Sequence, residues 1–153
     1  MNHFMHMAIA QGMKNIVTGD GGPFGAIVVK GQEVVGIGRN MIFANNDPTA
    51  HAEIMAIRDA CANLGTHDLS GCVLYASCQP CPMCMGAIYW ANIKKLYYST
   101  STMEAARFGC KGHLLEQEVA TNYAYSGIES NCIENTQGLA LLDTWQKSPH
   151  KTY

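Results

Sequence analysis

Residue types able to hold a transition metal stand at short, ordered spacings in this chain: His51-Ala52-Glu53, then Pro80-Cys81-Pro82-Met83-Cys84. Imidazole and thiolate are ligands that zinc prefers, and His51, Cys81 and Cys84 supply three of them. A structural zinc normally takes four protein ligands. Three leave one tetrahedral position for water, whose pKa falls from about 15.7 towards about 7 on the ion, so the pattern predicts one catalytic zinc per chain. Residues two apart on a helix do not face the same way. Glu53 is therefore expected not as a fourth ligand but as the group that moves protons beside the ion.

Each half of the pattern has a plainer reading. A Cys-x-x-Cys pair alone also describes a thioredoxin-like redox centre or half of a zinc ribbon. The ribbon fails, because Cys61, Cys72, Cys78, Cys110 and Cys132 contain no second such pair. The redox reading leaves His51 and Glu53 without a task. The order His-x-Glu, then Pro-Cys-x-x-Cys, is instead the signature of zinc-dependent base deaminases, in which the Glu is the general acid and base.

The elements that must position these groups are also legible. Asp47 as N-cap and Pro48 at the first helical position predict a helix carrying His51 and Glu53 in its opening turns. Ala50, Ile54, Ile57 and Cys61 recur at helical spacing as its buried face, and Gly65 stands where a helix ends. Residues 72–77 read as a buried strand, after which Pro80 or Pro82 opens a helix through Ile88, Tyr89 and Trp90. Cys81 and Cys84 fall one turn apart at its start, where free backbone N–H groups favour thiolate. Two helix starts should thus converge on one metal. Elsewhere the pattern predicts a helix over 4–17, strands over 24–30 and 33–38 around a turn at Gly31, and a strand over 95–99. Helical stretches follow near 113–120 and 139–145. Residues 122–135 carry no decisive pattern, and Ile128 to Ile133 reads equally as short strand or loop. Strands alternating with helices imply a layered α/β domain.

Beyond the metal motifs, several longer runs carry a resemblance: Gly22-Pro23-Phe24-Gly25-Ala26, Gly38-Arg39-Asn40, the run from Asn46 to Glu53, the run from Gly86 to Ala91, and an end reading Trp145 to Tyr153. On these the chain resembles the cytidine-deaminase-like superfamily and, within it, the small bacterial guanine deaminases, nearly end to end. The resemblance implies a three-layer α/β/α fold with a five-stranded mixed sheet, spanning residues 1–153 as one domain. It implies that Phe24 packs on a base, Asn40 hydrogen-bonds its edge, and Ala52 and Trp90 line the pocket. It also implies a homodimer whose tail, about 146–153, is exchanged so that Tyr153 closes the partner's pocket. One departure stands out. Guanine deaminases of this type carry an Asp after the cysteine helix, and here that place falls among Cys110, Lys111 and Gly112. Glu116 can substitute if the loop is rebuilt, whereas Lys111 or His113 would suit another aminopurine, cytosine or an amino-triazine.

Composition narrows the partners. Ten Lys and Arg against twelve Asp and Glu give a net charge of −2, with only Lys94 and Lys95 adjacent. An enzyme that edits transfer RNA must grip phosphates, so this charge argues for a small free base and against nucleic acid. Residues 99–103 also lack the Asp-x-Lys-x-Gly-Ala pattern of transfer-RNA deaminases. The glycine-rich run from Gly19 to Pro23 has no phosphate-cradle pattern and reads as a turn into the next strand. No apolar run approaches the roughly 20 residues of a membrane span. Seven cysteines without a disulfide-like arrangement suit the cytoplasm.

Overall fold

The computed structural model describes residues 2–149 and 151. Helix α1 (His3–Thr18) is capped by Asn2 and closed by left-handed Gly19. The hairpin β1 (Gly25–Lys30) and β2 (Glu33–Arg39) follows, then α2 (Ala52–Leu64), β3 (Cys72–Cys78), α3 (Pro82–Trp90) and β4 (Lys95–Thr100). The chain continues as α4 (Thr102–Ala106), α5 (Gly112–Ala120) and α6 (Asn135–Lys147).

The sheet runs β2-β1-β3-β4, with β1 antiparallel to both neighbours and β3 parallel to β4. It is mixed, as expected, but four-stranded among the described residues. The fifth strand is missing because residues 128–134 pair with nothing and run as loop into α6. Side chains alternate across the sheet with the two-residue period of a strand. Ala26, Val28, Leu74 and Ala76 face α2 and α3, while Ile27, Val29 and Tyr75 face Ala8 of α1. Helices on both faces make three layers.

Helix α2 lies unusually close to the sheet, for a reason visible in sequence. Ala52, Ala56 and Ala60 form its most buried stripe. A Cβ at Gly38 would strike the backbone of Ala52 and Ala56, and one at Gly36 would meet Ala56 and Ala60. Small residues on both sides bring the backbones together. The stripe expected from Ile57 and Cys61 lies at the edge of the core instead, since alanine alone fits against glycine at this separation. The start of α2 is therefore fixed by close packing. It also differs from the predicted start: His51, not Asp47, is the N-cap. Asp47 accepts from the Thr49 N–H (2.8 Å) and hydroxyl (2.7 Å), closing a turn around Pro48 before the helix begins. No described helix is long and apolar enough to cross a membrane.

Candidate metal centre and base pocket

The two ligand-bearing helices begin alike. His51 caps α2 and Cys81 caps α3, each with extended backbone (φ −68°, ψ 158° and φ −67°, ψ 168°). An N-cap residue leaves the helix axis, so its side chain turns back across the helix end, where backbone N–H groups are unpaired. Pro82 occupies the first position of α3, settling the choice between Pro80 and Pro82. Cys84 follows in the first turn and is fully buried.

The three donors lie within 4.8 Å of one another. His51 Nδ1 is 3.7 Å from Cys81 Sγ and 3.6 Å from Cys84 Sγ. Zinc–sulfur bonds of about 2.3 Å and zinc–nitrogen bonds of about 2.0 Å, opened to a tetrahedral angle, give a sulfur–nitrogen separation of roughly 3.6 Å. The residues present therefore fit the ion. Protonation points the same way: the Cys84 thiol donates to Cys81, bringing Cys81 down to about 4, while that hydrogen bond and burial push Cys84 up. Two sulfurs sharing a proton at this spacing form a donor set from which a dication displaces it. Cys78 stands outside the set, its thiol towards the Ser101 carbonyl at 3.9 Å.

Glu53, one position inside α2 from Ala52, is buried (8% exposed), and burial raises its carboxyl above the usual carboxylate range. It lines, with His51 and Cys81, a cavity of about 440 Å³. Phe24 and Asn40 line the same cavity. Asn40 is held rigidly. Its side-chain oxygen accepts from the Ile42 N–H (3.2 Å) and its carbonyl from Asn15 Nδ2 (2.6 Å), leaving the Asn40 amide nitrogen as the group able to donate to a ligand. Gly21 is part of this support, because a Cβ there would strike the Asn40 side chain and carbonyl. Asn15 also binds the Gly22 carbonyl at 2.7 Å and accepts from Arg39 at 2.9 Å. Sequence reasoning missed Asn15, since a lone Asn within a helix gives no signal of a partner in a distant loop.

The structure separates two expected residues from this cavity. Ala52 is in the hydrophobic core as the first residue of the alanine stripe, one position from both His51 and Glu53. Trp90, at the far end of α3, lines a different hollow with Ile54, Ile57, Cys61 and Lys151. Two turns of helix carry it away from Cys84, which is why a motif continuous in sequence divides in space. Tyr153 lies outside the described residues. Four further residues, Ile42, Phe43, Gln79 and Thr102, also line the cavity. Cys110, Lys111 and Gly112 join them, so the stretch where a carboxylate is expected reaches the pocket without one.

Residues 1–100 match the family described as the cytidine and deoxycytidylate deaminase zinc-binding region. The chain belongs to this family. It is 39% identical to a guanine deaminase of Bacillus subtilis (strain 168) over 153 residues, covering 99% of this chain and 98% of that one. The X-ray structure of guanine deaminase from Bacillus subtilis superimposes with a TM-score of 0.92 at 38% identity, over 100% of this chain and 99% of that one. A tRNA-specific adenosine deaminase of Aquifex aeolicus is 38% identical over 97 residues, only 63% of this chain and 64% of its own length. The transfer-RNA likeness thus leaves over a third of this chain unmatched. The chain is a zinc-dependent hydrolytic deaminase, with His51, Cys81 and Cys84 grouped as its metal site.

Proposed function

We propose that the substrate is a free nucleobase and that the reaction is hydrolysis of guanine to xanthine and ammonia. The end-to-end likeness to guanine deaminase carries this reading, since it covers 99% of this chain where the transfer-RNA enzyme matches only 63% of it. The net charge of −2 supports it as well.

A zinc held by His51, Cys81 and Cys84 supplies the Lewis acidity that makes water nucleophilic near neutral pH. Glu53 does the proton work. As carboxylate it accepts the proton from the attacking water, then delivers it to the ring nitrogen beside C2. A second transfer, from the hydroxyl on C2 to the amine, lets the C2–N bond break and ammonia leave. The raised pKa of Glu53 suits both halves of that cycle, because a group titrating closer to neutrality both accepts and returns protons. Phe24 packs on the base and Asn40 donates to its edge.

The tail reading rests on α6. Every residue of this helix is exposed, including Leu139, Leu141, Leu142 and Trp145. An apolar face this open calls for cover. A second copy of the chain supplies it, and Tyr153 of that copy closes the pocket in a homodimer with exchanged tails. The thiol ligands require reducing surroundings, which suits the cytoplasm. One domain over residues 1–153 is the corresponding organisation.

One observation favours a second reading, another aminopurine, cytosine or an amino-triazine: Lys111 lines the cavity at the place of the missing carboxylate. Ammonia release from a panel of free bases tests both. Guanine should be turned over with the highest kcat/KM. No ammonia from guanine, with turnover of one of the others, selects the second reading.

A further inference from the structure

The cavity wall beside Cys81 is made by the starts of α4 and α5. Gly112, first residue of α5, leaves a gap there: a Cβ would sit at ordinary contact distance, 3.6 Å from Thr102 Cγ2 and 3.9 Å from Cys81 Cβ. The wall behind the gap is Thr102, 5% exposed. Its backbone N–H donates to Gln79 Oε1 at 3.4 Å, which ties it to the loop before Cys81. Its hydroxyl donates to Glu116 Oε2 at 3.1 Å. Glu116 lies four residues after Gly112, hence on the same face of α5. Glu116 does not itself line the cavity; Thr102 does.

A threonine hydroxyl has one hydrogen and two lone pairs. With the hydrogen committed to Glu116, Thr102 Oγ1 keeps only its lone pairs for a further partner, and a carboxylate partner strengthens it as an acceptor. We infer that Thr102, held by Glu116, is the specificity element that accepts a hydrogen bond from a ring N–H of the base. It does by relay what a carboxylate on the wall does directly. The inference rests on the guanine reading above, and it removes the objection raised by Cys110, Lys111 and Gly112. Guanine carries ring N–H groups at N1 and on the imidazole ring, whereas cytosine and the amino-triazines meet the wall differently.

The test compares wild type with Thr102→Val, Thr102→Ser and Glu116→Gln, each loaded with zinc and assayed on guanine, 1-methylguanine and 9-methylguanine. Thr102→Val keeps the shape and loses the acceptor, so KM for guanine should rise about tenfold to a hundredfold with kcat little changed. Thr102→Ser should restore it. Glu116→Gln should also raise KM, because its amide can donate to Oγ1 and turn the hydroxyl hydrogen towards the base. Whichever methylation ceases to matter in Thr102→Val identifies the N–H being read. If both substitutions that remove the acceptor leave KM for guanine within twofold, or if both methylations cost Thr102→Val as much as wild type, the inference is overturned while the guanine reading stands. A wild type inactive on guanine overturns both. Zinc content measured beside each assay separates a lost contact from a lost fold, and Glu116→Gln, lying outside the wall itself, decides the matter if Thr102→Val does not hold the metal.

Discussion

Residues 1–100 and residues 101–149 are built to different standards. The first segment packs a core on both faces of a sheet, with Ile27, Val28, Leu69 and Leu74 wholly enclosed, and leaves other apolar side chains such as Val17, Phe43 and Tyr89 exposed. It sets every metal donor at a helix start fixed by that packing. The second segment buries only Thr102 among its described residues and leaves Phe108, Leu141, Leu142 and Trp145 in the open. Metal chemistry therefore resides where the chain closes on itself. The part that does not reaches the cavity only along one side, with Thr102, Cys110, Lys111 and Gly112.

The largest test of this division is the metal. Cys84→Ala should lose its zinc and all turnover by elemental analysis and ammonia assay, whereas Cys78→Ala should keep the ion. Zinc retained in the first, or lost in the second, moves the site off the helix starts. Glu53→Gln comes next. It should hold zinc and fold while turnover falls by about 10²–10⁴, the range general acid and base catalysis contributes. Ordinary activity in that variant would leave Glu53 a buried carboxylate without a role.

The second segment is probed by mixing. Homodimers of Glu53→Ala and homodimers lacking the tail should each be inactive, but mixed dimers formed by co-refolding should regain one working site. On the exchanged-tail proposal, the Glu53→Ala chain would still lend its Tyr153 to the intact Glu53 of its partner. Mixed dimers that form yet stay inactive would place Tyr153 within its own chain or give it no role. The smallest effects come from leucine truncation. Leu74→Ala should cost about 2–5 kcal/mol at any protein concentration, as buried leucines do. Leu142→Ala should cost under about 0.5 kcal/mol in the monomer, as exposed positions do. Only in concentrated, dimeric protein should its effect grow, which denaturant melts at two concentrations would show.

The site was more legible in the sequence than the pocket around it. His51, Cys81 and Cys84 announce themselves because metal ligation demands particular side chains at short spacings, and a helix start keeps such spacings in order. Helix α4 also left a signal. Ser101 and Glu104 form a capping box, with the Glu104 N–H on Ser101 Oγ at 3.1 Å and the Ser101 N–H on Glu104 Oε2 at 2.8 Å. The Ser-x-x-Glu spacing was there to be read. Thr102, Gln79 and Asn15 were not, since each earns its place through a partner far along the chain. Asp47 misled for the opposite reason: a good local N-cap was outcompeted by a turn with Thr49. Trp90 lines a separate hollow because a run continuous in sequence spans both ends of one helix.

The two N-cap ligands also join metal supply to folding. His51 and Cys81 are 30 residues apart, so an ion bridging them closes a loop that contains α2 and β3. An unfolded chain holds no such preformed site, and binding free energy then becomes folding free energy. Each tenfold rise in free zinc above the dissociation constant adds about 1.4 kcal/mol to the stability of the whole domain. A cell short of zinc would accordingly carry less of this protein, not merely a slower form of it.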